Sequence, residues 1–178
     1  MKRAIAILCT MLAAGSVWAG VVTLPDTSQT TTFTATVSEQ ANVTVPSSVT
    51  FTVSDVSSDT NSTSQTVSAT NIVLGDGKKL RIELAPNSTS FTPPSGGSVT
   101  WASSDVSWNA PSWTGGTGNA ASLSASAGVY TKVVDMTSAN ASEVSTTALV
   151  FTLAAKSTVD RAGNHTLAAT WKFSSFTP

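Results

Sequence analysis

The chain has 178 residues, of which only 11% are charged, with nine basic and ten acidic side chains and a formal net charge of −1. Serine and threonine make up about a third of it, and it holds one cysteine and one histidine. That balance draws the chain to neither nucleic acid nor an anionic membrane. A lone cysteine also excludes a disulfide framework and a cysteine-based zinc cluster.

Residues 1–19, "MKRAIAILCTMLAAGSVWA", have the make-up of a secretory signal. Lys2 and Arg3 supply the charged start, 4–14 the apolar run, and Val17-Trp18-Ala19 a small-residue cleavage site before Gly20. The run is too short to anchor the chain across a bilayer. Cys9 lies inside it, with no small residue before it to mark a lipoprotein site. The expected mature chain of 159 residues carries seven basic and ten acidic side chains, a net charge of −3, and no cysteine. That is enough chain for one domain with a real core. Without disulfides, its stability must come from that core or from a partner that binds the folded form.

Period-two alternation runs through the mature chain. "QTTTFTATVSEQ" (29–40) reads as a strand whose Phe33, Ala35 and Val37 face one way; it completes either its own sheet or a neighbour's. "NVTVPSSVTFTV" (42–53) carries Val43, Val45, Val49, Phe51 and Val53. "QTVSATNIVL" (65–74) and "KKLRIELA" (78–85) flank Gly75-Asp76-Gly77, and Asp-Gly between alternating runs predicts a β-hairpin. Two short strands are expected in 98–108, then a glycine-rich loop, "PSWTGGTGNA" (111–120), with Trp113 as an exposed ring. Further strands are expected in 128–136, 147–155 and 165–173, with "DRAGN" (160–164) as the last turn. Only 138–143 has room for a short helical turn. The expected fold class is all-β, a single Ig-like antiparallel β-sandwich. The expected organisation is a signal peptide over 1–19, an N-terminal extension over 20–38 and the sandwich over 39–178.

Residue types suited to catalysis are sparse, so an enzyme is not expected, nor is any cofactor or metal. His165, the sole histidine, follows the "AGN" turn, where any polar residue would serve. The acids are scattered singly, mostly in turns where Asp satisfies local N–H groups. Asp55, Asp59 and Asn61 in "SDVSSDTNST" match no calcium loop and read as a polar turn. Trp101, Trp108 and Trp171 alternate with apolar neighbours and read as core, whereas Trp113 is the ring placed to contact a ligand. The five Asn-x-Ser/Thr triplets, at Asn42, Asn61, Asn87, Asn140 and Asn164, are what a chain this rich in Ser and Thr produces by chance.

The layout resembles the disulfide-free major pilins of chaperone–usher fimbriae, especially the colonisation-factor kind. "TFTATVSE" (32–39) is similar to their N-terminal donor segment, and "KKLRIELAP" (78–86) and "SVTW" (98–101) to two internal strands. "ALVFTLAAKS…DRAGNHTLAATWKF" (148–173) is similar to their closing pair of strands. The long run over 20–30 and the lack of a tyrosine in the final strand depart from that pattern. The resemblance implies a sandwich completed by strand donation, with Phe33, Ala35 and Val37 filling a groove beside a neighbour's last strand. It further implies a homo-polymer at the cell surface that supports adhesion, reached through the periplasm with a chaperone and an outer-membrane usher. The alternative is a self-contained secreted sandwich that binds a surface glycan or a cell-surface partner, with Trp113 as the contact.

Overall fold

The computed structural model describes residues 21, 23–25 and 29–178, so the expected signal segment lies outside the described residues. The chain divides into two compact units, Met1–Thr36 and Val37–Pro178.

The second unit is an antiparallel β-sandwich. Its strands are β1 (Gln40–Thr44), β2 (Thr60–Asn61), β3 (Gln65–Val73), β4 (Lys79–Pro86), β5 (Val106–Trp108) and β6 (Gly116–Gly118). They continue as β7 (Ala121–Ser122), β8 (Thr131–Met136), β9 (Glu143–Leu149), β10 (Phe151–Leu153) and β11 (Ala169–Phe176), with one 3₁₀ turn at Ser103–Asp105. One layer has the order β11-β4-β8-β6. The other joins the sheets β1-β3-β9 and β2-β10-β5-β7, because β9 runs on into β10 with only Val150 between them.

Alternation decides which side chains meet. Leu80, Ile82 and Leu84 of β4 point inward beside Val134 and Met136 of β8. From the facing layer come Val67, Ala69, Val106, Trp108, Val144, Leu149, Phe151 and Leu153, all in the same buried cluster. Trp108 meets Phe151 edge-on at 6.2 Å, and Trp101 meets Phe91 at 6.3 Å, separations that favour aromatic pairs beyond their area. Both indole N–H groups find carbonyls, Trp101 at Ala154 (2.8 Å) and Trp108 at Asn119 (2.9 Å). The core placement expected for these two tryptophans holds.

The expected hairpin does not form. β3 pairs with β1 and β9, while β4 pairs with β11 and β8, so the Gly75–Lys78 turn carries the chain from one layer to the other. Gly77, at φ +69°, makes the reversal. A reversal does not dictate pairing, and both edges of each strand are taken by distant partners. For the same reason the closing runs separate: β10 pairs with β5 and β2, and β11 starts later than expected, pairing along its whole length with β4. The 138–143 stretch, which had room for a short helical turn, holds a simple turn closed by Ala141 N–H to the Ser138 carbonyl at 3.1 Å, and β9 begins at Glu143.

Candidate functional site

The stretch 42–53 becomes a strand only through Thr44. Beyond Pro46 the alternation persists, with Val49, Phe51 and Val53 half-buried against the core. Yet residues 46–54 make no backbone hydrogen bond to any strand among the described residues. They lie as a strap along an open groove of about 720 Å³. Its far wall is the 163–171 stretch, ending on Trp171 of β11. The floor is core: Leu84, Trp101, Val106, Phe151 and Leu153. A second hollow of about 360 Å³, sharing Val53, Trp101, Gly163 and His165, extends it under Val56 and Val159. Trp171, expected in the core, is half-buried because it forms this wall.

The stretch expected as the first strand behaves differently again. Residues 30–39 form no strand, and strand structure begins only at Gln40. Phe33 is 92% exposed and Val37 70%, and Ala35 is exposed as well. Strand propensity is expressed only against a partner strand, and this segment has none among the described residues.

Glu39, directly after that stretch, is held from three directions. Its Oε1 accepts from the Gly75 N–H (2.9 Å) and pairs with Lys78 Nζ (2.8 Å), while Oε2 accepts from Ser175 Oγ (2.6 Å). Lys78 first, then Ser175 and the Gly75 amide, pull its carboxyl down to about 2. A Cβ at position 75 would stand 2.9 Å from Oε1, so a glycine there lets the carboxylate reach the turn. Sequence reasoning missed this latch, whose members lie far apart along the chain.

At the far end of the groove, Asp160 pins two loops together. It accepts from Ser98 Oγ (2.6 Å) and from the backbone N–H groups of Ser98 and Val99. Ser98 and then Val99 hold its carboxyl at about 2. His165 stands beside it, 5.2 Å edge-on from Trp101. Its Nε2 faces the Arg161 carbonyl at 2.9 Å and its Nδ1 faces Thr100 Oγ1 at 2.7 Å. A carbonyl only accepts, so in the neutral ring Nε2 carries the proton and Nδ1 accepts from Thr100. Both ring nitrogens are thus engaged in stitching loops.

The Asp55–Asn61 stretch is a polar turn. Asp55 accepts from Ser57 and Ser58, Asp59 from the Ala155 N–H and Asn61 from Thr152, each toward a different partner. Among the described residues, no three of His, Cys, Asp or Glu gather as a metal site.

Trp113 departs from its expected exposure. It is half-buried against the core, and its indole N–H is covered without a hydrogen-bond partner. A Cβ at position 118 would stand 2.6 Å from its Nε1. The glycines that make the loop look open give the ring room to fold back onto it. No protein-family model, characterised protein sequence or solved structure matches this chain.

Proposed function

We propose that this chain is a structural subunit of a surface filament, assembled by β-strand donation and serving adhesion. One pairing of features carries the reading: an alternating segment, Phe33-Thr34-Ala35-Thr36-Val37, with no strand partner among the described residues, in a chain whose sandwich has an open groove with an apolar floor. As a strand, Phe33 to Val37 spans about 13 Å. Between the strap and the 163–171 wall it would gain backbone partners on an edge left unpaired among the described residues and sink Phe33, Ala35 and Val37 onto the groove floor. Strand addition also supplies what a cysteine-free secreted domain lacks, a partner that binds only the folded form. The resemblance to chaperone–usher pilins adds export through a signal at 1–19, a periplasmic chaperone, an outer-membrane usher and a place at the cell surface. Glycan binding through Trp113 has less support, because that ring lies packed against its own loop.

Mixing Phe33→Asp protein with wild type tests the reading. A charge at position 33 would have to settle on the apolar floor of the groove, so the variant should stay folded, fail to donate and cap growing wild-type polymers. A Phe33→Asp chain that unfolds on its own, or that polymerises as wild type does, overturns the proposal.

A further inference from the structure

The outward face of the β11-β4-β8-β6 sheet carries an unusual share of the chain's charge. Register sets it in rows: Phe176 beside Lys79, then Ser174, Arg81, Asp135 and Thr117, then Lys172, Glu83 and Lys132. Four cations therefore share two carboxylates. Asp135 takes Arg81 (2.7 Å) and Lys132 (3.2 Å), and Glu83 takes Lys172 (3.0 Å). Lys79 is left with the Thr137 carbonyl at 2.8 Å. The face is cationic by two charges in a chain that is acidic overall. It also presents aromatic surface: Arg81 lies 4.3 Å over the Phe176 ring and Lys172 5.1 Å over Tyr130, next to an exposed Val129. Arginine and aromatic rings together are what protein interfaces enrich.

The matching charge lies on the other layer, at the end of β5 and β10. Lys156 pairs with Asp105 at 3.1 Å and donates its backbone N–H to the Val56 carbonyl. Asp59 holds the Ala155 N–H at 2.8 Å, and Asp55 caps the adjoining turn. Three carboxylates around one lysine leave this corner anionic by two charges.

We propose that copies of this chain associate side to side, the cationic sheet face of one against the Asp55–Asp59–Asp105 corner of the next. A two-fold pairing through the cationic face would set like charges against each other. Contact between two different patches is heterologous and leaves both ends open, so one copy engages two neighbours. This contact is separate from strand donation and does not depend on it.

Sedimentation velocity on the mature Phe33→Asp chain tests it, since that background removes donation from the measurement. The expected result is self-association at low salt that weakens about tenfold or more in 0.5 M salt, as screening shortens the reach of exposed charges. Lys79→Glu with Lys172→Glu should abolish it. So should Ser157→Lys with Thr158→Lys, exposed positions beside Lys156 that leave every carboxylate bond intact. Mixing Lys79→Glu/Lys172→Glu protein with Asp55→Lys/Asp59→Lys protein should restore association. A parent chain that stays monomeric at low salt overturns the proposal. So does association that survives either the Lys79/Lys172 or the Ser157/Thr158 pair. If the Asp55/Asp59 variant fails to fold, the Ser157/Thr158 pair decides.

Discussion

Replacing Phe33 by alanine separates the stability of the chain from the strength of the proposed strand donation. In the single chain the ring is 92% exposed, so truncating it uncovers nothing and the melting temperature should not move. In a donated strand the same ring passes from water onto an apolar floor, a transfer that stabilises by about 1.5–3 kcal/mol. At 1.4 kcal/mol per decade, Phe33→Ala should weaken donation between about tenfold and about a hundredfold. Thr34 points to the opposite face, and Thr34→Ala should stay within about twofold, as surface changes do. The assay is fluorescence anisotropy with a labelled peptide of residues 29–39 and a chain of residues 20–178 carrying Phe33→Asp as acceptor. Parent, Phe33→Ala and Thr34→Ala peptides are titrated side by side. Equal affinities for the parent and Phe33→Ala peptides would refute the reasoning. A lowered melting temperature of the Phe33→Ala chain would do the same, since it would put the ring in its own core.

Ile82, fully buried at the centre of β4, should cost about 3 kcal/mol on Ile82→Ala, a fall in melting temperature of about 6–12 °C by calorimetry. Glu39 and Asp160 both titrate near 2 when folded and near 4 when unfolded, so the stability they contribute is present above about pH 4.5 and lost as pH falls toward 2. Glu39→Gln with Asp160→Asn should flatten that acid limb in pH-dependent melts while lowering stability at neutral pH; an unchanged limb contradicts the latch. In single-tryptophan variants, a soluble quencher should reach Trp113 and Trp171 in part and Trp101 and Trp108 hardly at all.

The all-β class was legible because alternation is a local property, and Leu80, Ile82 and Leu84 face inward as their spacing predicts. Pairing was not legible. Asp76-Gly77 announces a reversal, but whether the next strand returns beside the last or crosses to the facing layer depends on which edges are free, and β11 and β8 claim both edges of β4. The same holds for Val49, Phe51 and Val53, whose alternation is visible although no strand among the described residues lies beside them to turn it into a ladder. Trp113 misled because glycine neighbours signal exposure as readily as they make room for a ring. The groove itself had no local signature, since Trp101, Phe151 and Trp171 meet only through the sandwich.

The Glu39 latch also marks where the molecule can be cut and respliced. The division between the two compact units falls at Thr36 and Val37, and the exposed run extends through Gln40. Either would tempt an engineer to graft a foreign N-terminal segment anywhere in that interval. A junction placed after Glu39 would discard the carboxylate that joins the turn at Gly75 to Ser175 near the end of the last strand. A junction placed before it keeps that tie, so the incoming sequence can change what is donated without loosening the sandwich. Positions 39, 75 and 175 thus form one unit of substitution: a bulkier residue at 75 demands a shorter one at 39, and the serine at 175 then loses its acceptor.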